Sequence, residues 1–214
     1  MEPVANNVVI MKNESFISQD EVYLILRSFF CENQNVSIHC FNDLCQRTAI
    51  RNVRKGELIL SEGQLCDYLF FIARGFCFTY YVWEGKEHVL DFFKEGTFAF
   101  VFHSFFKRQS SCFNVRVSEN STLVGLKYSD FMDLSKNYGE FRDMMCRLYI
   151  EYWIKREVYQ HVFRCYTAEE RIFFFLKSHE IQDLMRHVPQ YRIASWLNMA
   201  PETFAKIWGS INFP

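Results

Sequence analysis

The chain has 214 residues, of which 50% are hydrophobic and 23% are charged, and its formal net charge is -1. This composition excludes an intrinsically disordered chain, because apolar burial can offset the loss of conformational entropy. The balance of charge excludes a non-specific nucleic-acid coat, which needs a surplus of Lys and Arg to neutralise phosphates. From residue 137 onward that surplus is one, with 10 Lys or Arg against nine Asp or Glu.

The N-terminus shows no targeting signal. Met1-Glu2-Pro3 lacks the basic and apolar regions of a signal peptide, and no apolar run approaches the ~20 residues that cross a membrane. We therefore expect a cytoplasmic protein that has no membrane partner. Its eight cysteines are expected to be free thiols, because the cytoplasm is reducing.

The first segment of the chain is predicted to end in a helix. Residues 1–15 are polar and rich in Asn, and we expect a loose lead there. Apolar residues within 16–31 recur at helical spacing, and Ser18 with Glu21 has the pattern of a capping box.

Short strands are predicted from about residue 51, after Leu44 and Ile50 have closed the helical region. Glycines then recur about every ten residues, which is typical of turns between the strands of a barrel or jelly roll. The predicted strands are Glu57–Ser61, Tyr68–Ala73, Phe76–Tyr81, Glu87–Phe93, Phe113–Ser118 and Ser121–Lys127.

A long helix is predicted over Glu140–Val162, where neither Pro nor Gly occurs. At ~1.5 Å per residue it would exceed ~30 Å, and an amphipathic helix of that length needs a partner for its apolar stripe. We expect a dimer stem, because the strands before it already form a closed unit; the alternative is a core helix of one globular domain. The stripe comprises Phe141, Met144 or Met145, Leu148, Tyr152, Lys155, Tyr159 and Val162.

Three shorter helices are predicted near the C-terminus. Thr167-Ala-Glu-Glu has the pattern of a capping box and opens a helix over Ala168–Lys177. A second helix is predicted over Tyr191–Leu197. After a turn at residues 198–200, Pro201 at the first helical position opens a third, which runs to about Ile211.

Residues 188–207 resemble the helix-turn-helix of the CRP–FNR superfamily. The match includes the Ile-Ala-Ser core at 193–195 and the Pro-Glu-Thr core at 201–203. Upstream, Lys55–Gln64, 68–75 and 92–96 are similar to strands and turns of that family's cyclic-nucleotide-binding barrel. The short C-terminus, which lacks a wing hairpin, is similar to a branch common in Bacteroidetes regulators.

This resemblance implies an α+β protein with a double-stranded β-helix or jelly-roll barrel, a long dimerisation helix and a C-terminal helix-turn-helix. The implied domains are a sensor at 1–136, a dimerisation helix at 137–165 and a DNA-binding domain at 166–214. The implied function is transcription regulation by a homodimer that binds double-stranded DNA.

The family's phosphate-binding residues are missing from this chain. The Gly-Glu pair that holds the ribose falls on Phe100 and Val101, and the Arg that pairs with the cyclic phosphate falls on Ser111. Arg108 lies three residues earlier. Because Ser cannot neutralise a phosphate, we predict that cyclic AMP does not bind in the family's mode.

The neighbouring phenylalanines give the pocket two interpretations. Phe98, Phe100 and their neighbours either fill the former pocket or line a site for an apolar effector of unknown identity. The candidate ligand-binding residues are Phe98, Phe100, Val101, Arg108 and Ser111.

No metal site or cofactor is predicted. Some family members hold an iron–sulfur cluster on cysteines, but eight and four residues separate Cys31, Cys40 and Cys45, which is not a compact ligand run. The six histidines lack a pattern such as His-Glu-x-x-His.

The resemblance also implies the residues that contact DNA. Glu202 and Lys206 occupy the positions that contact base edges on the second helix, and Thr203 can reach a base or a phosphate. Gln190 and Arg192 on the first helix are expected to contact phosphates. The helix is poor in charge, since Trp208 and Gly209 stand where basic residues are common.

Two other functions are compatible with parts of the sequence. The barrel could belong to an interaction or sensor protein that does not bind DNA. An enzyme built on a jelly roll would need a metal set or a paired nucleophile and base, and neither occurs. We therefore predict a protein that is not an enzyme.

Overall fold

The computed structural model describes residues 16–211, which form an α+β structure. The α-helices are α1 Gln19–Arg27, α2 Ile38–Arg47, α3 Phe102–Lys107, α4 Tyr128–Asn137, α5 Gly139–Cys165, α6 Ala168–Lys177, α7 Glu180–His187, α8 Gln190–Trp196 and α9 Pro201–Ser210. The strands are β1 Thr48–Val53, β2 Leu58–Leu60, β3 Tyr68–Arg74, β4 Cys77–Trp83, β5 Lys86–Phe93, β6 Phe98–Ala99, β7 Asn114–Val117 and β8 Ser121–Lys127. The predicted lead at residues 1–15 lies outside the described residues.

The N-terminal helices begin as the capping patterns predict. The Ser18 hydroxyl accepts from the Glu21 amide, and the Glu21 carboxylate accepts from the Ser18 amide, so the predicted capping box is confirmed. α1 then continues into a π-helical segment over Ser28–Asn33. The prediction that Ile50 closes a helical region was wrong, because Ile50 lies in β1 and pairs with Val124 of β8.

The eight strands form two four-stranded antiparallel sheets, with strand orders β1-β8-β3-β6 and β2-β7-β4-β5. All six predicted strands are present, with ends that differ by up to two residues. Buried side chains including Phe71, Ile72 and Leu123 make the core, and β3 is buried at successive positions from Leu69 to Ala73. The two sheets therefore form the antiparallel sandwich of the predicted barrel.

The long helix α5 confirms the predicted helix and extends beyond it at both ends. Its predicted apolar stripe, however, packs largely inside the chain. Phe141, Met144 and Met145 are buried in the core of the sandwich, and Tyr159 and Val162 in a second core. The expectation that this stripe meets a dimer partner was therefore wrong for these residues, which behave as core positions.

The second core joins the sandwich to the C-terminal helices. Phe78, Tyr80 and Val89 on the outer face of β4 and β5 pack with buried residues of α5, α6, α8 and α9, including Phe175 and Phe204. The Thr167–Glu170 capping box and Pro201 at the start of α9 are both confirmed. α7 was not predicted; it begins after His179, a residue with a left-handed backbone.

None of the helices within residues 16–211 combines the length and the apolar character needed to cross a membrane.

Candidate functional site

A cavity of about 630 Å³ lies where the sandwich, α5, α7 and α8 meet. Phe, Tyr and Trp are the commonest residues in its wall. Phe98, from β6, and Phe100 with Val101, from the segment after β6, enter it from the sandwich, and Tyr149 and Trp153 face it from α5. The volume is in the range of sites for small organic molecules, about 300–1,000 Å³. Three of the five predicted ligand-binding residues thus line one cavity.

The other two predicted ligand-binding residues have structural roles and do not line this cavity. Arg108 donates to Asp67 over 2.5 Å and to the Cys66 carbonyl over 3.3 Å, and its guanidinium lies 4.1 Å from the ring centre of Tyr128. Ser111 is buried, donates to the Phe113 carbonyl and accepts from the Phe113 amide. Arg108 is therefore engaged by its own domain.

Asp91 is the acidic residue most enclosed by the cavity wall. It accepts from the Tyr152 hydroxyl over 2.6 Å and lies 3.7 Å from the Arg156 guanidinium, so it connects β5 to α5. Burial raises the pKa of the Asp91 carboxyl above its usual 3.8, although the Tyr152 hydroxyl and Arg156 oppose the rise. Sequence analysis missed Asp91, because nothing local marks an acidic residue whose partners lie about 60 positions away.

Two further sets of polar contacts connect the cavity wall to α7. Lys94, which follows β5, lies 3.3 Å from Asp183. Lys155 and Tyr159 of α5 both donate to the Glu180 carboxylate. The cavity is thus bordered by ties between the sandwich, α5 and α7.

Three buried polar atoms on cavity-lining residues have no hydrogen-bond partner within residues 16–211. They are Thr79 Oγ1, the Tyr149 hydroxyl and Trp196 Nε1. Thr79 is only 5% exposed. Sequence analysis missed all three, although a lone Thr in the aromatic run of β4 was a usable signal for a polar position inside the sandwich.

α8 and α9 form two apposed helices joined by a short turn. Ile193 and Phe204 are fully buried between the helices and the second core. Glu202, Thr203 and Lys206 are all exposed on α9, and Gln190 is exposed at the start of α8. Four of the five predicted DNA-contacting residues are therefore accessible.

Arg192 is the exception, because it points toward the sandwich. Its side chain is 16% exposed, lies 3.8 Å from the Glu87 carboxylate and stacks over Phe78 at 4.3 Å. One turn further along α8, Ser195 accepts from the Val89 amide and donates to the Glu87 carbonyl. α8 is thus docked on the edge strand β5, and in this arrangement Arg192 is engaged by the sandwich.

Within the described residues, no three His, Cys, Asp or Glu side chains come together as a metal site. Cys40 is buried, and burial raises the pKa of its thiol to about 12, so it is not a ready thiolate ligand. Cys31 and Cys45 are partly buried, and burial also raises their pKa values.

Comparison with known proteins places this geometry in context. Residues 50–138 match the family model of the cyclic nucleotide-binding domain. FixK2 from Bradyrhizobium japonicum is 15% identical, with 76% of this chain and 83% of that chain covered, at a TM-score of 0.65. The c-di-GMP responsive global regulator CLP from Xanthomonas campestris is 12% identical, with 81% and 90% covered, at a TM-score of 0.65.

The catabolite activator protein of Thermus thermophilus is 14% identical, with 85% of each chain covered, at a TM-score of 0.54. A search of the curated proteins finds no match. At these identities the solved structures show the fold alone, which is that of CRP/FNR-type regulators.

Proposed function

We propose that the protein is a homodimeric transcription regulator of the CRP–FNR type that binds double-stranded DNA and carries a degenerate cyclic-nucleotide pocket. The observation that supports this most directly is the exposed face of α9. Glu202, Thr203 and Lys206 stand together on it, while Phe204 anchors the opposite face against α8. A recognition helix needs such a side, held rigidly by a second helix, to enter the major groove.

Each exposed residue has a role that its chemistry supports. The Lys206 ammonium donates to guanine, and the Glu202 carboxylate accepts from the amino group of cytosine. Thr203 and Gln190 contact phosphate oxygens. Arg192 contacts a phosphate only in a conformation in which its ion pair with Glu87 is broken.

The proposed domains are a sensor at 1–136, a dimerisation helix at 137–165 and a DNA-binding domain at 166–214. α5 still offers a face for a second copy, because Ile150, Ile154 and Val158 are 58%, 59% and 45% exposed at four-residue spacing. A stripe of this kind along a 27-residue helix is typical of helix–helix pairing. Dimerisation would then place two copies of α9 at two half-sites of an operator.

We further propose that the effector, if the protein has one, is not cyclic AMP. The Ser111 hydroxyl donates to the Phe113 carbonyl, and Arg108 is paired with Asp67. Neither side chain is free to neutralise a cyclic phosphate, and Phe, Tyr and Trp are the commonest residues around the cavity beside Phe98 and Phe100.

Binding-site selection from random DNA with the purified full-length protein, repeated with cell extract to supply an effector, tests the function. We expect an enriched palindromic sequence and binding that weakens as salt rises. Lys206→Ala should weaken binding to the selected site by about 1–3 kcal/mol. Lys136→Ala removes the same charge from an exposed position on α4 and should leave affinity unchanged.

The second candidate is an interaction or sensor protein that does not bind DNA. The docking of α8 on β5, which occupies Arg192, favours it. This candidate predicts that binding-site selection enriches no DNA sequence and that Lys206→Ala does not alter any residual binding to DNA.

A further inference from the structure

The cavity between the sandwich, α5 and α8 has properties that restrict what can occupy it. Aromatic residues are the commonest in its wall, and a connected set of rings runs from Phe100 through Tyr149 and Phe102 to Trp153. Rings of this kind stack on or meet the edge of another flat ring, with a gain of about 0.5–1.5 kcal/mol per pair beyond area burial. The shape and chemistry of the wall therefore favour a planar aromatic ligand.

The positive charges of the wall are already neutralised. Among the described lining residues, each Lys or Arg has a carboxylate partner: Lys94 pairs with Asp183, Lys155 with Glu180, and Arg156 with Asp91. An anionic ligand would find no spare Lys or Arg, and burying its charge without one is costly. The wall therefore disfavours a negatively charged ligand such as a cyclic nucleotide.

The unpartnered polar atoms indicate where such a ligand would be held. Thr79 lies on β4 between Phe78 and Tyr80, which pack outward in the second core, so alternation along the strand turns Thr79 toward the cavity. Its Oγ1, like the Tyr149 hydroxyl, is buried without a protein partner among the described residues. A buried hydroxyl left unpaired costs about 1–3 kcal/mol, and a ligand that bonds to it recovers that cost.

We propose that this cavity binds a small, neutral, hydroxylated aromatic compound, with its ring among the Phe, Tyr and Trp side chains and its hydroxyl bonded to Thr79 and Tyr149. This inference rests on the proposed sensor role and gives the effector a chemical class. The cavity includes Phe100 and Val101, the positions that hold the ribose in relatives of this fold, but Ser111, at the position of the phosphate-binding Arg, does not line it.

Three naphthalene probes test the proposal by titration calorimetry on the full-length protein without DNA. 2-Naphthol carries a neutral hydroxyl, naphthalene carries none, and 2-naphthoate carries a negative charge on the same ring system. We expect 2-naphthol to bind at least about tenfold more tightly than either of the others, which is the effect of one recovered hydrogen bond or one unpaired buried charge. Equal or tighter binding of 2-naphthoate, or no binding of 2-naphthol, would overturn the proposal.

Variants locate the bound probe. Thr79→Val keeps the shape of the side chain and removes its hydroxyl, so we expect about a tenfold loss of 2-naphthol affinity and no loss for naphthalene. Tyr149→Phe should act in the same direction. Ser111→Ala is the control and should leave both affinities unchanged; a loss in this variant alone would place the ligand at the former phosphate position and refute the assignment.

Both variants are first compared with the parent protein by circular dichroism and thermal unfolding. If Thr79→Val fails to fold, Tyr149→Phe carries the test alone, because it removes one hydroxyl from a partly exposed helix position. DNA binding is measured separately on the selected operator. If the parent protein binds DNA but not 2-naphthol, this inference alone is rejected; if it binds 2-naphthol but no DNA, the proposed function alone is rejected.

Discussion

At the scale of single residues, Gly75 shows how a tight turn depends on the absence of a side chain. It joins β3 to β4 with a φ of +104°, and a Cβ added there would lie 2.2 Å from Ser121 Oγ and 2.8 Å from its Cα. Ser121 cannot move away cheaply, because its hydroxyl donates to the Glu119 carbonyl and accepts from the Phe76 amide.

We predict that Gly75→Ala lowers the free energy of unfolding by about 3 kcal/mol or more, since backbone strain and overlap with Ser121 add together. Gly56→Ala is the matched control. Gly56 also has a positive φ, of +87°, but no atom lies within 4 Å of an added Cβ, so only the strain of about 1–2 kcal/mol is expected. Urea denaturation of both variants measures the difference, and equal losses would contradict the packing argument.

Asp91 is expected to make the unfolding free energy fall as the pH rises, which is the opposite of the usual effect of a carboxylate. Burial makes its folded-state pKa higher than the value in the unfolded chain, so the folded protein holds this proton more tightly. Its contribution to stability is therefore fully present below the unfolded-state pKa and is lost as the pH rises through the folded-state pKa. The charged and titratable groups around it are Tyr152, Lys155, Arg156 and Tyr159.

We predict that the unfolding free energy of the parent protein falls relative to that of Asp91→Asn as the pH rises from about 4 to neutrality. Asn keeps an acceptor for the Tyr152 hydroxyl but does not titrate. Chemical denaturation of the two proteins over that range gives the difference directly. A constant difference, or one that changes in the opposite direction, would show that Arg156 and Tyr152 outweigh the cost of burial.

At the scale of elements, features with a local sequence signal were predicted, whereas features that depend on contacts between distant residues were not. Both capping boxes and six of the eight strands carry signals within a few residues, such as glycine turns between strands, and local patterns identified them. β1 and the two-residue β6 were not predicted. α3 and α7 are only six and eight residues long, and tertiary packing rather than periodicity maintains them. The stripe of α5 had the right period, but periodicity alone cannot say whether Phe141 or Tyr159 faces its own sandwich or a second chain.

The same limit applies to the candidate site. The sequence indicated Phe98 through its run of aromatic neighbours, and Phe100 and Val101 through their alignment with the Gly-Glu pair of the family that the chain resembles. It could not indicate that Arg108 is bound by Asp67, 41 positions earlier, or that Arg192 reaches Glu87, because those pairings exist only after the chain has folded.

The exposed face of α5 carries the prediction about assembly. Ile154 is 59% exposed near the middle of this face, and a charge there would be buried if a second copy packed on it. We predict that Ile154→Glu converts a dimer into a 25.7 kDa monomer, measured by light scattering after size-exclusion chromatography. Ile38→Glu makes the same change at an exposed position of α2 and should leave the dimer intact. A parent protein that is already monomeric would contradict the proposed stem.

At the scale of the whole molecule, the docking of α8 on β5 couples the helices α8 and α9 to the sandwich. β5 is an edge strand, and Ser195 gives its free edge a partner by accepting from the Val89 amide over 3.0 Å. The adjoining cavity is lined by β5, α5, α7 and Trp196 of α8, so a ligand there would touch α8 and three elements next to it. The structure therefore contains a physical connection between this cavity and α8, which packs against α9.

This connection predicts a change in hydrogen exchange. Removing the Ser195 hydroxyl with Ser195→Ala should speed exchange of the Val89 amide about tenfold, because one hydrogen bond of about 1 kcal/mol is lost at an edge with no other partner strand. Ser210→Ala, which removes a hydroxyl bonded only to its own helix at the Ile207 carbonyl, is the control and should leave Val89 unchanged. Unaltered protection of Val89 in Ser195→Ala would mean that α8 is not docked in solution. Arg192 would then be free of Glu87 and available to DNA phosphates from the outset, and control of DNA binding would have to act through the spacing of the two copies of α9 instead.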